Sequence, residues 1–132
     1  MIRVLIVDDS PFVCRLLSGH LGSADDIQVI ATAHDGKRAL AKIADFNPDV
    51  ITLAQSMSGL NGVETLERIM HECPTPVVMI SGISRKSAIV TRRALQMGAV
   101  DFVLKYTPGT DTHPDELRHE IVSKVRAAAQ VK

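Results

Sequence analysis

The chain has no net charge, because its 15 basic side chains balance 15 acidic ones over 132 residues. No overall electric field therefore draws the protein towards nucleic acid or an anionic membrane, so any partner must be recognised locally. Long apolar runs are also missing, since none approaches the ~20 residues that span a bilayer, and no signal peptide is visible. We expect a cytoplasmic protein with neither nucleic acid nor membrane as its partner.

Cysteine is scarce as well. Cys14 and Cys73 are isolated, and neither has the spacing of a metal site or a redox motif. We expect both to be reduced thiols, as in a cytosol. The histidines show no metal-like pairing either and are expected to be solvent-exposed imidazoles: His20, His34, His71, His113 and His119.

What the chain does contain is a regular alternation of short β-branched runs and longer stretches with helical spacing. Its length suits one domain, residues 1–132, with no repeat or linker. The nearly continuous apolar runs suit strands that helices cover on both faces, which predicts a helix-flanked parallel α/β sheet. The predicted strands are Ile2–Val7, Ile27–Ala31, Val50–Leu53, Val77–Ile80 and Val100–Leu104.

Capping residues mark where the helices begin. Ser10 and Pro11 open the first helix, the next three follow Gly36, Asn61 and Ser84, and the last should begin near His113-Pro114. In this last helix an apolar stripe repeats every four residues, at Leu117, Ile121 and Val125. Polar residues occupy the other side, namely Arg118, Glu120 and Lys124, so the stripe is expected to pack on the sheet.

Polar residues gather where the predicted strands end, and ligands of open parallel sheets bind beyond these carboxyl ends. The first strand is followed by Asp8 and Asp9, the fourth by Ser81 and the fifth by Lys105. The third strand leads to Ala54, where a carboxylate would complete an acidic cluster. The position that should carry the reactive group therefore holds a methyl group.

In these motifs the chain resembles the receiver domains of two-component response regulators over nearly its whole length. The matching landmarks are Asp8-Asp9-Ser10, Pro48-Asp49, Met57, Gly62, Ser81-Gly82, Gly98-Ala99 and Phe102-Val-Leu-Lys105. The resemblance implies a flavodoxin-like, doubly wound sheet of five parallel strands in the order 2-1-3-4-5, flanked by five helices. Within the family, Asp49–Leu53, Leu60–Gly62 and Val78–Ser81 look most like the receiver of a chemotaxis protein-glutamate methylesterase.

The resemblance also implies a role for each site residue. In the family a carboxylate on the third strand accepts a phosphoryl group, and magnesium screens its charge. Asp9 would bind magnesium directly, Asp8 through water, and Ser56 through its backbone carbonyl. Lys105 would contact the phosphoryl oxygens, Ser81 would hydrogen-bond them, and Phe102 would swing inward as a switch. Simpler explanations remain for some of these residues: helix capping for Asp8-Asp9 and a core aromatic for Phe102.

Ala54 removes the nucleophile and one metal ligand together. The formal charge of the cluster, Lys105 included, changes from −2 with an aspartate to −1, so we expect magnesium to bind weakly. Ser58, Gln55-Ser56 and Tyr106 depart from the family pattern too, which favours natural degeneration over one engineered substitution. A substitute acceptor at Ser56 is disfavoured, because the chain shows no base for it.

These observations predict a binding module that acts by phosphorylation-independent protein contacts in a chemotaxis-like two-component pathway. Its partner would be a histidine kinase or an output domain, bound by the face of the fourth helix, fifth strand and fifth helix. Basic residues lie on the predicted fourth helix, and a partner surface or an ordinary solvated polar face would explain them: Arg85, Lys86, Arg92 and Arg93. A homodimer remains an alternative.

Two other functions stay open: a conventional phosphoacceptor engineered from aspartate to alanine at position 54, and the regulatory fragment of a methylesterase. By itself the chain is not expected to be an enzyme. A dinucleotide enzyme is disfavoured, because Asp8-Asp9-Ser10 stands where a glycine-rich phosphate loop would be.

Overall fold

The computed structural model describes residues 1–55, 61–81, 92–104 and 114–131. Five parallel strands form one sheet in the order β2-β1-β3-β4-β5, so the predicted flavodoxin-like fold is confirmed. The strands are β1 Ile2–Val7, β2 Ile27–Ala33, β3 Val50–Ala54, β4 Val77–Ser81 and β5 Asp101–Leu104. Both ends of each strand lie within two residues of the predicted bounds.

Five helices connect and cover the strands. They are α1 Pro11–Gly22, α2 Gly36–Phe46, α3 Gly62–Glu72, α4 at residues 92–96, and α5 Pro114–Ala128. The predicted start of the fourth helix at Ser84 and the predicted loop at residues 106–113 lie outside the described residues. Within the described residues, no helix combines the length and the apolar character needed to cross a membrane.

Side-chain caps explain where three of the helices begin. The Ser10 hydroxyl accepts a hydrogen bond from the Val13 amide at 3.3 Å, and the Asn61 side chain accepts one from Glu64 at 2.9 Å. The cap of α2 is Asp35, which accepts from the Arg38 amide at 2.7 Å. Gly36 is thus the first residue of α2 and not its cap, because a carboxylate can satisfy a free helix amide and a glycine cannot.

Two apolar clusters hold the helices on opposite faces of the sheet. Alternate residues of β1 and β3 point to opposite faces, as pleating requires, so Val4 and Val50 join one cluster while Leu5 and Ile51 join the other. The first cluster includes α1 and α5, whose stripe Leu117, Ile121 and Val125 packs there as predicted. The second includes α2, α3 and Ala94 of α4.

Candidate functional site

The strand register brings the predicted site positions to one edge of the sheet. Val7 of β1 pairs with Leu53, Ala54 pairs with Ile80, and Ser81 of β4 pairs with Leu104 of β5. The ends of four neighbouring strands are therefore level with one another. Asp8, Asp9, Ala54 and Ser81 lie at this edge, while the predicted site residues Ser56 and Lys105 lie outside the described residues.

The two acids after β1 have different surroundings. Asp8 is buried, and its Oδ1 accepts a hydrogen bond from the Ser10 amide at 3.0 Å. Its own amide donates to the Ala33 carbonyl at 3.0 Å, which ties the end of β1 to the end of β2. Asp9 is exposed. One carboxylate is thus fixed inside the site by the turn that opens α1, and the other faces solvent.

Ala54 is completely buried at the end of β3. Its methyl group carries no lone pair, so it can neither attack phosphorus nor bind a metal ion. Within the described part of the chain, no group of three or more His, Cys, Asp or Glu side chains could hold a metal ion. Magnesium prefers several oxygen ligands, and among the described residues the acids at this edge are Asp8 and Asp9, so this donor set fits magnesium incompletely.

Helix α3 approaches the end of β3 closely beside the site. The Gly62 amide donates to the Gln55 carbonyl at 3.1 Å. A Cβ atom on Gly62 would stand 2.2 Å from the Ala54 carbonyl oxygen and 2.7 Å from that of Gln55, distances that side chains do not tolerate. Glycine is therefore required where α3 approaches the site.

Cys14 and His34 contact the site, and neither was predicted to do so. The carbonyl oxygen of Asp8 lies 3.2 Å from His34 Nδ1 and 3.4 Å from Cys14 Sγ. Since a carbonyl can only accept, the bond to His34 requires the proton on Nδ1. The available sequence signal was that His34 directly follows β2, the neighbour of β1. His34 is exposed as predicted, yet it helps to hold the peptide between Asp8 and Asp9.

Phe102 lies on β5, opposite Met79 of β4. It is partly buried and packs against the cluster that includes Ala94 and Ala99. This position suits the expected core aromatic, while a swinging movement of the ring stays a prediction.

The sheet order, helices on both faces and an acidic pair after the first strand define a flavodoxin-like α/β domain with a polar site at the carboxyl ends of its strands. Residues 4–121 match the family described as the response regulator receiver domain. The chain belongs to this family, as its motifs predicted.

Similar proteins narrow the class further. The chain is 43% identical over 132 residues to a protein-glutamate methylesterase/protein-glutamine glutaminase of Bacillus licheniformis, covering 100% of this chain and 37% of the relative. With that of Caldanaerobacter subterraneus subsp. tengcongensis it shares 47% over 128 residues, covering 97% and 35%. The chain thus spans about a third of the length of these curated relatives.

Solved structures of receiver domains show the same similarity. The response regulator domain of Thermotoga maritima CheB superposes with a TM-score of 0.88 at 39% identity, covering 100% of this chain and 98% of that one. A chain of the CheX-CheY-BeF3-Mg complex from Borrelia burgdorferi gives a TM-score of 0.79 at 29% identity, covering 98% and 90%. The predicted resemblance to methylesterase receivers is therefore confirmed.

Proposed function

We propose that this receiver domain is a protein-binding module of a chemotaxis-like signalling pathway that forms no acyl phosphate at position 54. The observation that carries the proposal is the buried methyl group of Ala54 at the end of β3, beside the acids that follow β1. Family resemblance assigns the phosphoacceptor carboxylate to this position. The domain would then transmit its signal through contacts with other proteins and would catalyse no reaction itself.

A weak magnesium site is part of this proposal. Asp8 and Asp9 would supply the carboxylates, with the backbone carbonyl of Ser56 as a third ligand. Two like charges ~4 Å apart repel by about 4 kcal/mol at an effective dielectric near 20, and a bound cation relieves this repulsion. With Ala54 the cluster has one carboxylate fewer, so it attracts the cation less strongly. Calorimetry should give a magnesium affinity below that of an intact receiver, and an equal affinity would contradict the expectation.

The partner surface we propose is the face formed by α4, β5 and α5. Arg92 and Arg93 of α4 are both exposed cations, and Arg93 lines a groove beside Glu67 and His71 of α3. A histidine kinase or an output domain is the kind of partner we expect there. Reversing both charges to glutamate should weaken capture of that partner from native lysate, whereas reversing Arg15, an exposed cation of α1, should not.

Phosphorylation is the direct test of the missing acceptor. The protein is incubated with acetyl phosphate and magnesium, and its intact mass is measured beside a conventional receiver that serves as a positive control. We expect the control to gain one phosphoryl group and this chain to gain none. Stoichiometric labelling of this chain, or an ordered beryllofluoride adduct at the site, would overturn the proposal.

The variant Ala54→Asp separates the proposal from its first alternative, a conventional receiver with an engineered alanine. If only position 54 had been altered, the aspartate would restore both phosphorylation and autodephosphorylation. Because Ser56, Ser58 and Tyr106 also depart from the family pattern, we expect phosphorylation of the Ala54→Asp variant to remain well below that of the positive control. Comparison with the encoding gene shows directly whether alanine is the natural residue.

The second alternative is that the chain forms the regulatory segment of a protein-glutamate methylesterase. Its support is the 43% identity to a relative of which the chain covers 37%. A reading frame that continues beyond Lys132 into an esterase domain with a nucleophilic serine would favour this function. The absence of such a domain from the gene would exclude it.

A further inference from the structure

Lys124 of α5 lies against the edge of the sheet. The sequence placed it on the polar side of the helix with Arg118 and Glu120, away from the stripe that packs in the core. In the structure only 26% of its side chain is exposed, because this side chain extends across β5. Arg118 is exposed, as its position on the polar side predicts.

The Lys124 ammonium makes four contacts with three residues. It donates to the carbonyl oxygen of Phe102 at 2.6 Å and to Glu120 Oε1 at 2.9 Å. It also lies 3.7 Å from Asp101 Oδ1 and 5.2 Å from the centroid of the Phe102 ring. The last distance is within the range of a favourable cation–π contact. We call these four residues, Asp101, Phe102, Glu120 and Lys124, the Lys124 cluster.

The cluster satisfies backbone groups on an edge strand. β5 is the last strand of the sheet, and such strands expose amide and carbonyl groups that have no neighbouring strand. The Phe102 amide donates to Asp101 Oδ1 at 2.7 Å, and the Phe102 carbonyl accepts from Lys124. Both backbone polar groups of Phe102 are therefore bound by side chains, which holds this residue in one orientation.

Lys124 also connects the two layers of the fold. Its helix packs by Ile121 and Val125 in the cluster that includes α1. The Phe102 ring packs in the other cluster, which includes α2, α3 and α4. Lys124 thus links the two layers around the edge of β5, so a shift of α5 relative to β5 must strain or break its contacts with Phe102.

We propose that Lys124 is a positioning residue that fixes the Phe102 ring and the edge of β5 to α5. An ordinary surface ion pair does much less: Arg68 and Glu72 of α3 are 2.9 Å apart, but both side chains are about half exposed and both lie on the same helix. None of the contacts in the Lys124 cluster involves position 54 or the acids after β1. The cluster belongs to β5 and α5 of the proposed partner face, but its contacts lie within the chain, so this proposal stands whether or not a partner binds there.

The experiment uses the full chain with ¹³C-labelled phenylalanine. The protein has three phenylalanines, so the ring signal of Phe102 is resolved against those of Phe12 and Phe46. In Lys124→Met the aliphatic stem is kept and the charge is lost. We expect a shifted Phe102 ring signal and amide hydrogen exchange at Phe102 about tenfold faster, because a charge-assisted hydrogen bond and an ion pair are lost.

Arg126→Met is the matched control. Arg126 lies on the same helix and binds Asp26 through two hydrogen bonds of 2.9 Å, and Asp26 is not part of the Lys124 cluster. We expect this variant to leave the ring signal and the exchange rate of Phe102 unchanged. Glu120→Gln, which leaves Lys124 in place, should shift the Phe102 signal in the same direction as Lys124→Met but less.

Two results would overturn the proposal. One is an unchanged Phe102 signal and exchange rate in folded Lys124→Met. The other is a change of equal size in Arg126→Met, which would reflect loss of charge on α5 in general. If Lys124→Met does not fold, Glu120→Gln decides: an unchanged Phe102 signal in that variant would count against the proposal.

Discussion

Replacement of Gly62 by alanine tests the close contact between α3 and the end of β3. The new Cβ would lie 2.2 Å from the Ala54 carbonyl oxygen, whereas nonbonded carbon contacts are favourable near 3.5–4.0 Å, so α3 must move by about 1 Å. Overpacking of this kind costs about 1–3 kcal/mol. The hydrogen bond from the Gly62 amide to Gln55, now 3.1 Å, would weaken at a further cost of about 0.5–1.5 kcal/mol.

Together these effects should lower the free energy of unfolding by about 2–4 kcal/mol. With an unfolding entropy near 2.1 cal/mol/K per residue, the Tm of a chain of 132 residues should fall by about 7–14 °C. Urea unfolding followed by circular dichroism gives the free energy, and calorimetry gives the Tm. The m-value should not change, since the surface exposed on unfolding is nearly the same.

Gly19→Ala in α1 is the control for the substitution itself. A Cβ atom at Gly19 would meet nothing within 4 Å, so only the helix propensity changes. Alanine should stabilise this helix by about 0.5–1 kcal/mol. The reasoning is refuted if Gly62→Ala unfolds within about 0.5 kcal/mol of the parent protein, or if both variants shift stability in the same direction.

Three further substitutions test a buried hydroxyl and a surface ion pair. Thr52 is fully buried, and within the described residues its hydroxyl has no hydrogen-bond partner, so Thr52→Val should raise the unfolding free energy by about 1 kcal/mol. Val50→Thr, on the same face of β3, should lower it, and a gain there would contradict the argument. The Arg126 guanidinium, by its hydrogen bonds to Asp26, lowers the pKa of that carboxyl below its ordinary 3.8. The stabilisation from this pair is therefore present above pH 3.8 and is lost as pH falls through the lowered pKa. Asp26→Asn should flatten the pH dependence of the unfolding free energy, measured in urea, over that range. An unchanged pH dependence would contradict this expectation.

Much of the fold could be predicted because it depends on local patterns. The run Val4–Val7 is apolar on both faces, and both faces are buried, since helices cover the sheet on both sides. Ser10, Asn61 and the stripe of α5 lie where their sequence positions predicted. Asp35 was not predicted as the cap of α2, because the neighbouring Gly36 gave the more conspicuous signal for a helix start.

The candidate site was only partly predictable. Parallel strands place their carboxyl ends at the same edge, so Asp8, Ala54 and Ser81 could be assigned to one site from their positions after apolar runs. The contacts of His34 and Cys14 with the Asp8 carbonyl could not be predicted, because they depend on the way α1 and the end of β2 pack around β1.

The sequence alone determined the alternation of strands and helices, the edge at which the site lies, and the methyl group at position 54. These features depend on residue type and on spacing along the chain, and neither changes on folding. Only the tertiary structure decided that Gly62 must lack a side chain and that Lys124 binds β5 instead of water. Both features arise from distances between elements that lie far apart in the sequence, and such distances are set when the two layers pack against the sheet.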